Sequence, residues 1–265
     1  MQLFYGHIEG TEFHLDAGEI QHCVKVLRKS VGDHIHFITG DGALYEGEIS
    51  FVSKSKVYGS FTEVEHEFGK VPYDLTVAIA PTKSMDRIEA FVEKAVEMGI
   101  SRIIPIICEH SERRTIKTDR LRKIALSATK QSLKGALVHI DEAISFQDFL
   151  AQKQEQLMVA HCEYDETKKG IHEVLNPSRP LCIMIGPEGD FSPTEVLAAT
   201  SAGAKPIHLG SSRLRTETAG LLAVATVYHL LGRFFRSLFL FQKDPSNRPK
   251  ALPLLLYVLH SARIQ

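Results

Sequence analysis

Apolar and polar positions change rhythm near residue 74. Before it, the runs LFYGHI, EFHLD, DHIHFIT, LYEGEISFV and KVYGSFTEV are short and rich in aromatic and β-branched residues. Such runs, separated by polar breaks, predict strands. Gly40-Asp41-Gly42 lies between two of them and marks a tight turn, because Asp-Gly tolerates positive φ. One stretch, 17–29, places Ile20, Cys23, Val24 and Leu27 at helical spacing. Several strands and one small helix over 1–70 predict a compact β-barrel. EHEFGKVPYD at 65–74 reads as a linker.

From residue 74 the chain alternates strand and helix. DLTVAIAP reads as a buried strand. SMDRIEAFVEKAVEMG follows as an amphipathic helix with Ser84 as N-cap, Gly99 beyond its end, and a stripe of Ile88, Phe91, Val92, Ala95 and Met98. RIIPIIC is the next strand, so the order is βαβ and the sheet parallel. Further helices are predicted near 118–134, 145–153 and 166–175, and strands at 157–162 and 181–186. Ser192 and Glu195 form a capping box with Pro193 at the first helical position. KPIHLG is the last strand, and TAGLLAVATVYHLLG closes as a long apolar helix.

Composition bounds the function. The 265 residues hold 31 Lys+Arg and 32 Asp+Glu, a balance that by itself indicates no polyanionic partner. The balance is uneven, however. Residues 113–134 carry eight cations and one anion, 233–265 carry six and one, and 1–232 as a whole is acidic. A local basic stripe can be a phosphate footprint or a solvated helix face. Cys23, Cys108, Cys162 and Cys182 show no C-x-x-C spacing, so four reduced thiols are expected rather than a zinc site or disulfides. The thirteen histidines, His22, His34 and His36 among them, form no metal pattern, and no metal is expected. The first residues do not read as a signal peptide, and no run of about 20 apolar residues suggests a membrane span. The expected location is the cytoplasm.

Chemistry is expected where strands end, because open α/β sheets bind ligands at the carboxyl ends of their strands. Two such ends carry glycine-bearing loops: Gly186-Pro187-Glu188-Gly189 and Leu209-Gly210 with Arg213 to Ala219. Glycines there let a ligand approach the backbone, although an ordinary turn would look the same. Arg213, Arg215 and Glu217 stand at a helix entrance that favours anions, so the cations there ask for a reason. Glu109 to Arg114 follows a third strand and faces the same cleft or solvent. Dinucleotide, P-loop and G-x-S-x-G signatures are missing.

Together, Ile185-Gly-Pro-Glu-Gly189 with Phe191, Ser192 and Glu195, then Leu209-Gly210 and Leu214-Arg-Thr-Glu-Thr-Ala219, resemble the SPOUT class of RNA methyltransferases. Within it the resemblance is to the ribosomal RNA small subunit methyltransferase E family, which methylates N3 of a uridine. His22, Val26-Leu27-Arg28, Gly32-Asp33 and Asp41-Gly42 resemble that family's PUA-like barrel. Lys83, Asp86-Arg87, Glu89, Lys94, Pro105, Glu112-Arg113 and Gln131-Ser132 resemble its central region. Two positions depart from it. Lys130-Gln131-Ser132-Leu133-Lys134 replaces Glu-Gln-Ser with a nearby arginine, and Asp190 stands where a second glycine is common.

The resemblance implies an α/β fold whose C-terminal parallel sheet holds a trefoil knot, at 74–232, behind a PUA-like RNA-binding barrel at 1–70. The tail, 233–265, matches nothing in the family. The cofactor implied is S-adenosylmethionine, held by Ile185, Gly186, Pro187, Glu188, Gly189, Leu209, Gly210, Leu214, Arg215, Thr216, Thr218 and Ala219. Implied catalytic groups are Arg215 or Arg113, stabilising charge on the uracil oxygens, and Glu217 or Glu112 as a base. Implied RNA contacts are Lys25, Arg28, Arg114, Lys117, Lys130 and Lys134. The partners implied are small-subunit ribosomal RNA, within the 30S subunit, and a second copy of the chain. The rival readings are a knotted RNA-binding protein of ribosome assembly that has lost catalysis, and a small-molecule enzyme using the same strand ends.

Overall fold

All five strand-like runs of the N-terminal segment form strands. In the computed structural model, which describes residues 1–152, 156–163 and 165–243, with side chains through 232, they are β1 (Leu3–Glu9), β2 (Glu12–Leu15), β3 (His34–Ile38), β4 (Leu44–Val52) and β5 (Val57–Glu65). They close in the order β1-β2-β5-β4-β3, with β1 and β3 completing the barrel in parallel. Phe4, Phe13, Ile35, Phe37, Ile49 and Val57 fill it, and Phe13 stacks on Phe37 at 4.9 Å between ring centroids. Closure needs a glycine at 59, because a Cβ there would lie 1.9 Å from the Glu48 carbonyl oxygen. The predicted turn is present: Gly40 and Gly42 have φ of 92° and 105°, and Asp41 accepts from Ala43 N–H and Tyr45 O–H.

The helix expected at 17–29 is shorter and irregular. It is α1 (Ala17–Gln21), which widens into a π-helical turn over His22–Val26 before Arg28 turns back with a φ of 55°. The stretch 65–74 is not a free tether. Phe68 packs on Leu3, Ile38 and Leu44, and its backbone is hydrogen-bonded on both sides.

The second unit follows the βαβ alternation. Its elements are β6 (Leu75–Ile79), α2 (Met85–Glu97), β7 (Arg102–Ile107), α3 (Thr118–Gln131), β8 (His139–Ile140) and β9 (Ile144–Ser145). After them come α4 (Phe146–Ala151), β10 (Leu157–Ala160), α5 (Ile171–Val174), β11 (Leu181–Ile185), α6 (Pro193–Ser201), β12 (Lys205–Ile207) and α7 (Thr216–Lys243). The strands are parallel, in the order β12-β10-β11-β6-β7-β8, with β9 also on β7. The strands alternate between two covered faces. Val77, Ile79, Ile183 and Ile185 meet Phe91, Leu121 and Val224 of α2, α3 and α7 on one side. Ala78, Ile104, Val159 and Met184 meet Phe146, Phe149 and Ala199 on the other. A sheet buried on both faces reads as continuous apolar runs, which is why β6, β7 and β11 are visible in sequence.

Differences from expectation are local. β8 and β9 have two residues each and show no alternation to read. α5 is a single turn rather than a helix over 166–175. Ser84 occupies the N-cap position of α2 but makes no side-chain capping bond; Thr82 Oγ1 donates to its carbonyl at 2.6 Å instead. The capping box of α6 is complete, with Pro193 in place. α7 continues without a break from the apolar segment into the first part of the tail, to Lys243; residues 244–265 lie outside the described residues. Among the described residues no helix is long and apolar enough to cross a membrane.

Candidate active site at the strand ends

β10, β11 and β12 are neighbours and parallel, so their carboxyl ends deliver three segments to one side of the sheet. The β11 loop is stitched to its surroundings. Lys83 N–H donates to Glu188 Oε1 at 2.9 Å, which ties it to the end of β6. His110 Nδ1 donates to the carbonyls of Gly189 and Asp190, each at 3.1 Å, which ties it to the end of β7. Glu195 Oε1 accepts from Glu109 N–H at 2.9 Å.

Asp190 holds a φ of 63°, a conformation that normally favours glycine. Its carboxylate compensates by accepting from Phe191 N–H at 2.8 Å and from Cys162 N–H at 2.6 Å. The departure from the resembled pattern therefore creates a bond to the segment after β10. We expect Asp190→Gly to keep the loop's shape but release 161–163, and Asp190→Ala to lose both. Calorimetry should show a weaker ligand affinity for both variants, the alanine variant suffering more; equal affinity to wild type would contradict the stitch.

Five buried side-chain atoms on these segments have no hydrogen-bond partner among the described residues: both ring nitrogens of His161, Glu188 Oε2, Thr216 Oγ1 and Glu217 Oε2. Buried polar atoms are normally satisfied, so their concentration at three strand ends marks a place built for a polar partner. Glu217 is turned inward, with Oε1 4.0 Å from Arg87 Nε. Arg215, beside it, is exposed and engages no carboxylate among the described residues.

The candidates do not all converge. Arg113 directs its guanidinium to the carbonyls of Thr82 (3.0 Å) and Lys83 (2.6 Å), so it holds the β6 loop. Glu112 forms an exposed ion pair with Lys83 at 2.9 Å.

The basic stripe also changes character. Arg120 pairs with Glu89, Arg122 with Asp119 and Glu142, and Lys130 with Glu19. Lys134 is partly buried and donates to the Glu97 carbonyl at 2.9 Å, and burial lowers its pKa. Among the described residues, Lys117 and Lys123 keep no acidic partner, and Arg114 makes only a 3.3 Å bond to the Glu109 carbonyl. Lys25 and Arg28 are exposed on the barrel.

Residues 161–163 and Thr82 are bonded to the candidate loops without a sequence signal, whereas His110 falls in the 109–114 run that the sequence offered. The segment after β10 has no glycine and no charged motif to announce it. His161 is 2% exposed, and burial pushes its pKa below the ordinary value. It therefore takes up a proton less readily in the folded chain than in the unfolded one, which does so near pH 6.5. Stability should fall as pH drops through that value, and His161→Gln should flatten the fall in melting temperature between pH 7 and 5. An unchanged slope would show that His161 is not responsible.

Three buried cysteines and the exposed Cys162 are all free; burial pushes the Cys182 thiol up to about 12. Among the described residues no cluster of His, Cys, Asp or Glu is arranged to hold a metal.

With this geometry, comparison with known proteins becomes informative. A family model described as an RNA methyltransferase domain matches residues 69–228, and one described as an RNA methyltransferase PUA domain matches 15–62. The ribosomal RNA small subunit methyltransferase E of Rickettsia conorii is 32% identical over 231 residues, covering 84% of this chain and 92% of its own. The chain belongs to this family. The Bacillus subtilis member is 30% identical over 235 residues, covering 83% of this chain and 90% of its own.

Solved structures agree with the family. A probable rRNA-methyltransferase from Porphyromonas gingivalis superposes with a TM-score of 0.80 at 36% identity, covering 88% of this chain and all of that one. The Neisseria gonorrhoeae methyltransferase E, solved bound to S-adenosyl methionine, gives 0.75 at 25% identity, covering 87% and 98%. The fold is thus the family's knotted α/β domain beside a PUA-like barrel. Loss of catalysis, the rival reading, is not favoured, because the relatives are named as methyltransferases.

Proposed function

We propose that this chain transfers the methyl group of S-adenosylmethionine to N3 of one uridine in small-subunit (16S) ribosomal RNA. The observation that supports it is the presence of buried polar atoms, unpartnered among the described residues, on three segments that leave neighbouring parallel strands on the same side of the sheet. The acceptors Glu188 Oε2 and Glu217 Oε2 and the hydroxyl Thr216 Oγ1 suit a ligand that carries amino and hydroxyl donors. Loops 185–189 and 209–219 would hold it, with Gly186, Gly189 and Gly210 permitting close backbone contact.

Bound there, S-adenosylmethionine supplies an electrophilic methyl group. The chain's residues must then align the nucleophile and favour its deprotonated form, because the imide N3 of uridine is weakly nucleophilic while it keeps its proton. Exposed Arg215 is the group we assign to charge growing on the uracil oxygens. Glu217, largely buried toward Arg87, is assigned to orienting that helix entrance rather than to taking the proton. Arg113 is assigned to holding the β6 loop, and Glu112 to its surface pair.

Lys25 and Arg28 on the barrel, and Arg114 and Lys117 with Lys123 on the second domain, form the proposed phosphate-contacting face. Such contacts give salt-dependent affinity without reading sequence. Lys130 and Lys134 support the protein's own structure instead. The substrate proposed is RNA within the assembled 30S subunit, in the cytoplasm. A second copy of the chain would dock on α7, which leaves the large apolar side chains of Leu222 and Tyr228 exposed.

Mass spectrometry of ribosomal RNA from cells lacking the gene tests the proposal. One N3-methyluridine should disappear from 16S RNA and return on complementation. An unchanged methylation pattern would overturn it.

A further inference from the structure

We propose that the part-buried Glu19–Lys130 ion pair is a register strut: it fixes the barrel's station relative to the cofactor loops and so selects which uridine is methylated. The inference rests on the functional reading above.

α3 joins the two working ends of the molecule. Five residues before it starts, Arg113 clasps the Thr82 and Lys83 carbonyls beside Glu188. Its 14 residues span about 21 Å at 1.5 Å per residue. In its last turn Lys130 Nζ donates to Glu19 Oε1 across 111 positions of sequence. Glu19 lies on α1, just before the π-helical turn that carries Lys25 and leads to Arg28. The pair is well shielded, with side-chain exposures of 21% and 10%. Removing Lys130 leaves the buried Glu19 carboxylate without its cation, so the pairing is specified from the Glu19 side.

The joint around the pair contacts backbone to backbone. Gly135 N–H donates to the Phe68 carbonyl at 2.8 Å, Phe68 N–H to the Gly42 carbonyl at 2.8 Å, and Leu137 N–H to the Gly40 carbonyl at 3.2 Å. A Cβ on Gly135 would lie 2.3 Å from the Gly42 oxygen, and one on Gly69 2.3 Å from the Leu133 oxygen. Barrel turn, connecting segment and the chain after α3 are thus in direct contact. The connection acts as a spacer rather than a hinge, and Lys130 pins it to the element that presents Lys25 and Arg28. A methyltransferase whose phosphate contacts carry no sequence information needs such a fixed distance to place one base at the methyl group.

The test uses the full chain, S-adenosylmethionine and small subunits from cells lacking the gene. Glu19→Gln and Lys130→Gln should leave the cofactor Kd within twofold, lower kcat/KM at least tenfold, and add methyl groups at neighbouring uridines in mapped RNA. The exchanged pair, Glu19→Lys with Lys130→Glu, should recover to within threefold and restore a single methylated position; Lys130→Arg should behave as wild type. Should both single variants fail to fold, those two variants decide the matter: misplaced methylation by Lys130→Arg, or no recovery in the exchanged pair, would overturn the strut. So would single variants with wild-type rate and position, or rate and cofactor affinity falling by one common factor. A wild-type protein that transfers no methyl group overturns the functional reading and the strut with it; an active wild type matched by its single variants overturns the strut alone.

Discussion

Replacing Arg215 by alanine lowers kcat by about 10²–10³-fold, the loss seen when one preorganised donor to developing negative charge is removed, and leaves cofactor affinity within about twofold. The expectation follows from position. Arg215 is exposed at the entrance to α7, next to Thr216 and Glu217, whose buried side-chain atoms lack partners. Its guanidinium engages no carboxylate among the described residues, so removing it should leave the fold unchanged. Arg113→Ala should behave differently. Its guanidinium bonds two backbone carbonyls of the β6 loop, so that variant should lose cofactor affinity and rate together. Single-turnover rates and calorimetry on the two variants separate the roles; near-normal turnover by Arg215→Ala would remove it from the chemistry.

Gly186→Val should weaken S-adenosylmethionine binding by about 10- to 100-fold, which matches an overpacking cost of about 1–3 kcal/mol. A Cβ at 186 would sit 3.1 Å from the backbone nitrogen of Phe191 and 3.1 Å from its ring. Phe191 is buried between Phe146 and the sheet and begins the capped start of α6, so it cannot retreat. The β11 loop must open instead, carrying Glu188 away from Lys83 and Gly189 away from His110. Calorimetric titration checks the affinity, and circular dichroism should show native secondary structure. Wild-type affinity would mean that the loop does not form the pocket wall.

Most of the architecture was legible because it rests on local signals. Alternating aromatic and β-branched residues gave the five barrel strands, and runs buried on two faces gave β6, β7 and β11. The capping box at Ser192 and Glu195 placed α6 to the residue. What escaped depends on partners distant in sequence. The stripe at 113–134 looked like a phosphate footprint, yet Glu89, Glu142 and Glu19 come from other elements to pair with Arg120, Arg122 and Lys130. Arg113 and Lys134 are spent on backbone carbonyls, which leaves Arg114, Lys117 and Lys123 of that stripe facing solvent without an acidic partner among the described residues. The connecting segment looked like a tether because Phe68 gives no hint that it packs into the barrel. The segment after β10 carried no glycine, and its link to the β11 loop shows through Asp190, which reaches Cys162 from a position where glycine would make no such bond. Local charge, like net charge, is decided by what the fold brings beside it.

The most direct measurement is transfer of labelled methyl from S-adenosylmethionine to small subunits isolated from cells lacking the gene, with the product mapped by mass spectrometry. The account predicts one methyl group per subunit, at N3 of a single uridine of 16S RNA, with the rate falling as salt rises. Cofactor binding without transfer, or methyl groups on another atom of the RNA, would contradict it.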